Sequence, residues 1–449
     1  MSEPSNLTAR PDAPARRVFL ECTSTHASRY NTGIQRAVRN LVNASLAIAP
    51  CTAVVYNGRY FVSIDSLPYQ APSSPGGKRR PFAVDLLRNA FHRARSSIIR
   101  SVPSRTVRDA LFSQRLEYAL RRVVYAVQNA QRWAGSYARD NASRVEFGHG
   151  DVLVLLDSTW SVDLTRELAR ASEAGAEIWA VVNDLIPIQY PNLAPEGSPI
   201  VLDRWLRRTV PYMHGLLGIS RAVAEGLRDY LEHSGIAVGG LRIEHFYLGA
   251  GIDTAGADEA KLGTVKSAFD ATRGSAYLCV GTVEPRKQHA MVLDAFERLW
   301  PFAVSAKLVI FGRHGWRSDE LARRIKTHVE FGRRLLWIEE GSDAELDYAY
   351  RHASALVFAS RCEGFGLPLA EAMQYGLPVI ASDIPVFKEI GRDYPRYFDV
   401  DSADALFDAL RDFEGEQAVG RVARRVRPWL SWSDSARMLF RTVADEVSA

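Results

Sequence analysis

Two short stretches carry residue types and spacings that could do chemistry. The first is RCEGFGLPLAEAM, residues 361–373, in which Glu363 precedes a Gly364-Phe365-Gly366-Leu367 turn and Glu371 follows eight positions later. Pro368 suits the first position of a helix, where its missing N–H costs nothing, and Gly376 suits the far end. The amides from Gly364 to Leu367 would then sit at a helix N-terminus, free to meet an anion or a row of hydroxyls. Glu371 is expected within the first turn, near the same mouth. Dipole complementarity, worth about 0.3–1 kcal/mol, would account for Glu371 there but not for Glu363, which comes before the turn. The second stretch is GTVEPRKQHAMVLDAF, residues 281–296, in which Arg286 and Lys287 arrive where a helix begins. Two cations beside free amides make a site for a pyrophosphate. A lone Arg-Lys pair would read as surface charge; a second ligand-facing loop from the same sheet shifts the balance to binding. There is no Walker GK[ST] pattern, which argues against P-loop chemistry.

These loops need strands to hold them. Short β-branched runs alternate with helical stretches, which points to parallel α/β layers. In the first half, RVFLEC (17–22), AVVYN, VLVLLD (152–157), EIWAVVND (177–184) and GLLGIS (215–220) read as strands, with a helix over 32–47. The pattern restarts at AYLCVG (276–281) and runs through KLVIFG (307–312), LLWIEE (335–340), ALVFAS (355–360) and GLPVIAS (376–382). Helices are expected near 288–300 and 318–332, and a further one is opened by the Ser342–Glu345 capping box. Two α/β halves joined near 247–264 are therefore expected, with ligands beyond the carboxyl ends of the strands and between the halves.

The 449 residues are too many for one ordinary core, and 47% hydrophobic with 24% charged residues is a globular composition. No apolar run approaches the roughly 20 residues of a membrane-spanning helix. Residues 1–15 are polar and Pro-rich, without an apolar signal core, and read as a disordered lead-in. Cys22, Cys51, Cys279 and Cys362 are scattered, which argues against a zinc site or disulfide scaffold and fits a reducing cytoplasm. The net charge of +4 is unevenly spread: residues 78–132 hold thirteen Lys and Arg against Asp85, Asp109 and Glu117, a local excess of +10. Within it, Val84, Leu87, Phe91, Ile98 and Val102 fall on one helical face. Such a helix could pack on the first domain with a solvated basic rim, or lie on an anionic bilayer. Aromatic interleaving of the stacking type is missing, so no nucleic-acid partner is expected. DVDSAD (399–404) is expected to cap a helix rather than to hold a metal.

Together, GTVEPRKQHAMVLDAFERLW, LVIFGRHGW, WIEEGSDAEL and SRCEGFGLPLAEAMQYGLPVIASDIPVFKEIG resemble the C-terminal domain of family 4 retaining glycosyltransferases, and Glu363 to Glu371 matches that family's E-x7-E motif. Four motifs in order over about 120 residues are specific where a lone E-x7-E would not be. NTGIQRAVRNL (31–41) and VVNDLIPIQYP (181–191) are similar to segments of bacterial O-antigen and exopolysaccharide members, including mannosyl- and rhamnosyltransferases. The resemblance implies the GT-B fold, two Rossmann-like α/β domains facing a cleft. It places an N-terminal acceptor domain over 16–255, with a basic helical insertion near 58–150, and a nucleotide-sugar domain over 265–430. A C-terminal helix over 431–449 would pack back toward the first domain.

Carried over by position, the resemblance makes Lys287 the diphosphate cation with Arg286 assisting, since Thr282 stands near where some relatives have another Arg. Glu371 would accept from the ribose hydroxyls and Glu363 would sit by the transferring sugar. The amides of Phe365, Gly366 and Leu367, following Gly364, would meet sugar or phosphate. Gly33 would let backbone approach the donor, and Asp184 would be a polar contact or a buried cap. This chain has Asn183 where many relatives carry His. Metal-independent transfer is implied, with no cofactor beyond the nucleotide-sugar donor, to a glycan or lipid-linked glycan acceptor, in the cytoplasm or on the inner face of its membrane. GDP-mannose or a GDP-deoxyhexose is the favoured donor. A silent glycan- or nucleic-acid-binding protein on the same fold is the competing reading; no pyridoxal-lysine motif supports a phosphorylase.

Overall fold

A computed structural model describes residues 16–28, 33–68, 144–252, 262–269 and 274–444. The whole basic segment 78–132, with its apolar helical positions, lies outside the described residues, as do the lead-in 1–15 and residues 445–449.

Two sheets form, one per half. The first contains β1 (Val18–Glu21), β2 (Cys51–Tyr56), β3 (Phe61–Ile64), β4 (Val152–Leu155), β5 (Glu177–Val182), β6 (Gly215–Gly218) and β7 (Arg242–His245). Their order is β3-β2-β1-β4-β5-β6-β7, and all neighbours are parallel except β2 and β3. The second contains β8 (Ala276–Val280), β9 (Lys307–Phe311), β10 (Leu335–Ile338), β11 (Ala355–Phe358), β12 (Val379–Ser382) and β13 (Arg396–Phe398), ordered β10-β9-β8-β11-β12-β13 and parallel throughout. Both are doubly wound: the chain works outward to one edge, then returns to the centre, which leaves a crevice at the carboxyl ends of β1 and β4 and of β8 and β11. β4, β8 and β11 read as continuous apolar runs, and β1 and β12 do so up to their last residues, Glu21 and Ser382, because helices on both faces leave few polar positions.

Three strands escaped the sequence reading. β3 lies at the start of the segment taken as an insertion from residue 58, so the first sheet extends into it. β7 (RIEH) is half-exposed and β13 has three residues, so neither carries an apolar run long enough to be read. The helix expected near 318–332 stops at Thr327. Ser342 and Glu345 form the capping box, and Ser402 accepts from the Ala405 amide at the start of the helix Ala403–Ala418, so the DVDSAD stretch does cap.

The halves are tied together. The C-terminal helix Trp432–Val443 packs on the first-domain helix Gly33–Ile48, with Ala436, Leu439, Phe440 and Val443 joining Val38, Leu41 and Val42 in one core. On the other side Glu389 accepts from the Arg221 and Ala222 amides at 2.6 and 2.9 Å, across the domain boundary.

Candidate active site

The loops after β8 and β11, on either side of the second sheet's crossover, carry the functional side chains. A single turn at Pro285–Lys287 follows β8 and leads into the helix His289–Leu299. The loop after β11 leads into the helix Leu367–Gln374. The two loops are joined where the Arg361 amide donates to the Arg286 carbonyl at 2.8 Å.

Glu363 is the hub. Lys287 Nζ pairs with its Oε1, and Arg286 Nη1 lies 2.8 Å from Oε2. Arg286 turns its Nε to Glu284 at 2.7 Å, and Lys287 also stands 5.1 Å over the Phe358 ring. Burial alone would raise the Glu363 carboxyl; the Arg286 and Lys287 charges overcome it and hold it down at about 2. Burial likewise works against the Arg286 charge, and Glu363 and Glu284 offset it, so its pKa is raised. The result is an ionised, preorganised cluster of two cations and two carboxylates at the crossover.

Gly366, the N-cap of the helix Leu367–Gln374, adopts φ 102°, a left-handed conformation that glycine takes without strain. Helix-start amides have no intrahelical acceptor; Pro368 has no N–H and the Leu369 and Ala370 amides donate to the Gly366 carbonyl, which leaves Gly366 and Leu367 as the candidate donors of this turn. The ring of Phe365 is 3% exposed and packs edge-on to Trp429, so only its backbone is placed for a ligand. The helix begins at Leu367, which makes Pro368 its second residue and puts Glu371 fifth. The expectation that Glu371 lies in the first turn is therefore corrected: it sits in the second, fully buried. There its Oε2 accepts from Tyr350 Oη at 2.7 Å and its Oε1 pairs with Arg36, which reaches across from the first domain. Burial raises the Glu371 pKa against the opposing pull of Arg36 and Tyr350.

The first domain closes the crevice. A Cβ on Gly364 would meet the Asn183 carbonyl oxygen at 1.8 Å, so only glycine admits this approach, and Ser220 Oγ donates to the Gly364 carbonyl at 2.7 Å. Asp184 accepts from the Ile186 amide at 3.0 Å, a capping role; burial raises its pKa, opposed by nearby Arg286. Gly33 is the exposed first residue of the helix that carries Arg36, with open space where a side chain would be. Thr282 lies on the loop after β8 with its methyl against Gly315. The structure thus gathers Glu363, Arg286, Lys287, Gly364 and Asp184 in one cluster, and sets Glu371 one turn deeper. Arg36, Tyr350, Glu284 and Ser220 belong to the site and were missed. For Arg36 the sequence held no distinguishing signal: Arg39, Asn40 and Asn43 share its side of the helix, so it reads as part of an ordinary polar face. Among the described residues, no group of three or more His, Cys, Asp and Glu could hold a metal ion.

Comparison with known proteins gives this geometry its context. A family model described as "Glycosyl transferases group 1" matches residues 269–425, the whole of the cluster's second-domain side. The serotype-specific mannosyltransferase WbdA of Escherichia coli is 32% identical over 381 residues, 81% of this chain and 46% of that protein. The chain thus spans about half the length of these curated relatives. Among solved structures, the α,α-trehalose-phosphate synthase (UDP-forming) of Burkholderia vietnamiensis aligns with TM-score 0.54 at 12% identity, covering 96% of this chain and all of that one. Anabaena Alr3699/HepE, in complex with UDP and glucose, aligns with TM-score 0.52 at 11% identity over 95% of both chains.

Proposed function

From a chain that carries a group 1 glycosyl transferase domain on a GT-B fold, we propose a retaining, metal-independent hexosyltransferase acting on a growing bacterial surface glycan. The donor is a nucleoside-diphosphate sugar, a GDP-linked mannose or deoxyhexose, and the mannosyltransferase relatives favour mannose as the sugar. The acceptor is lipid-linked. The observation that carries the reading is the cluster of Glu363, Lys287 and Arg286 at the second sheet's crossover, beside helix-start amides and facing the first domain.

Sugar transfer needs charge stabilisation on a departing diphosphate while the anomeric carbon turns cationic. Lys287, Arg286 and the amides at Gly366–Leu367 are fixed donors for the first need, and fixed dipoles stabilise developing charge without reorganising. Glu363, held ionised, sits beside them for the second. Glu371, buried on Arg36 and Tyr350 in this closed arrangement, accepts from the ribose hydroxyls through its remaining lone pairs once the domains part to admit the nucleotide, and the leaving phosphate takes the acceptor's proton on the same face, which retains configuration. Closure of the Asn183–Gly364 contact over the ligands excludes water and suppresses hydrolysis. Segment 78–132 holds the enzyme at an anionic membrane surface. Among the described residues no helix is long and apolar enough to cross a membrane.

The test is a panel of GDP-, UDP- and ADP-sugars with a synthetic lipid-linked glycan and chelator present, reading product anomeric configuration by NMR. One donor transferring with retention supports the reading. Inversion, an absolute need for added metal, or no turnover with any donor would each contradict it.

A further inference from the structure

Arg36 is a first-domain cation buried in the second domain's ribose-side pocket, and the family reading gives it no task. Its side chain is 13% exposed and Nη2 pairs with Glu371 Oε1. Tyr350, Asp343 and Tyr375 lie close enough to act on its charge, and the rings of Tyr350 and Tyr375 stack 5.3 Å apart. Its Nε–H is buried with no hydrogen-bond partner. An unmet buried donor of this kind costs on the order of 1–3 kcal/mol, so its retention calls for an acceptor.

Geometry narrows what that acceptor is. Nε–H and an Nη2–H lie side by side on one edge of the guanidinium fork. With Nη2 on Glu371, Nε–H faces a point beside that carboxylate. If Glu371 accepts from ribose hydroxyls, the neighbouring strong acceptors of the same ligand are its phosphate oxygens. Charge points the same way. Glu284, Glu363, Glu371 and Asp184 outnumber Arg286 and Lys287, so without Arg36 the site would meet a diphosphate with two more carboxylates than cations. Arg36 halves that excess.

We propose that Arg36 is a nucleotide-binding residue supplied by the first domain: it holds Glu371 through Nη2 and gives Nε–H to the diphosphate, so that the nucleotide bridges the domains. This rests on the donor-site reading above. Because Arg36 stands on the helix Gly33–Ile48, which also packs on the C-terminal helix Trp432–Val443, ligand binding is communicated directly to the first domain.

The experiment compares nucleoside, nucleoside monophosphate and nucleoside diphosphate binding, by calorimetry and by competition, in the wild type, Arg36→Lys and Lys287→Ala. Lysine keeps a cation for Glu371 but removes the fork. Arg36→Lys is expected to keep the wild-type melting temperature and nucleoside affinity while losing phosphate-bearing ligands by about ten- to a hundred-fold. Equal losses for nucleoside and nucleotide would make Arg36 only a support for Glu371 and overturn the proposal while leaving the donor site standing. So would a diphosphate affinity matching the wild type. Failure of the wild type to bind any nucleotide, or indifference of diphosphate binding to Lys287→Ala, would overturn the donor site and this inference together.

Discussion

The two sheets cross over at equivalent places, and each puts a fully or nearly buried carboxylate there with opposite consequences. In the second domain Glu363 meets Arg286 and Lys287 and is held ionised, down at about 2. In the first, Glu21 ends β1 beside Asp157, which follows β4. Glu21 accepts from the Thr23 amide at 2.8 Å, and Asp157 from the amides of Thr25 and, at 2.7 Å, Ser158. Burial, then the Asp157 charge, push Glu21 up to about 8. Arg39 opposes the burial of Asp157 and also donates to the Thr25 and Ser28 carbonyls at 3.3 and 3.2 Å. The same topology therefore builds a charged centre in one domain and, in the other, a buried pair of carboxyls that bind backbone amides and resist ionisation. The difference lies in the loop after the first strand: Pro285-Arg286-Lys287 after β8 brings cations, whereas Thr23–Ala27 after β1 brings backbone amides.

The comparison breaks most visibly if the charged centre is stripped of a cation. Lys287→Ala leaves buried Glu363 with Arg286 alone and removes a leaving-group contact; kcat/KM in the transfer assay is expected to fall by about a hundred- to a thousand-fold. Gly364→Ala tests whether the loop after β11 must approach the loop after β5 of the first domain. Its methyl would strike the Asn183 carbonyl and cost about 1–3 kcal/mol of domain closure, read as a lower kcat with an unchanged unfolding profile in the isolated protein's melting curve.

The pH dependences of the two carboxylates should run in opposite directions. Glu363, depressed when folded, contributes stability above the ordinary carboxylate range that is lost as pH falls toward about 2. Glu21, raised when folded, binds a proton that the unfolded chain has released, so its contribution is full in acid and is lost as pH rises toward about 8. Melting temperatures from pH 5 to 8 should therefore fall less steeply in Glu21→Gln, by on the order of a few degrees, and keep the wild-type slope in Glu363→Gln. A Glu21→Gln slope equal to that of the wild type would remove the proposed contrast. The smallest effect is expected at Tyr350→Phe, which takes one hydrogen bond from Glu371 for about 1 kcal/mol and should weaken nucleotide binding severalfold, leaving pH profiles unchanged.

The parallel strands and the loops after β8 and β11 were legible because apolar runs, glycines and charges recur there at short sequence range. Arg286, Lys287 and Glu363 were found through local turns that place side chains at strand ends, and the structure joins them directly. What was not legible depends on distant chain. Arg36 and Glu371 are 335 residues apart, and Tyr350 lies on a helix whose pattern shows only an ordinary buried face. The helix start at Leu367, one residue ahead of Pro368, moved Glu371 from the mouth into the interior, where Arg36 becomes necessary. Glu21 and Asp157 looked like strand-end punctuation; only the β1–β4 pairing brings them together.

The most direct test of the account is calorimetric titration of GDP, UDP and ADP into the purified protein without metal, repeated on Glu371→Ala and Lys287→Ala. The account predicts selective binding of one diphosphate, lost in both variants while their folds persist. Binding of none, or binding that survives both substitutions, would contradict a nucleotide site at the crossover of the second sheet.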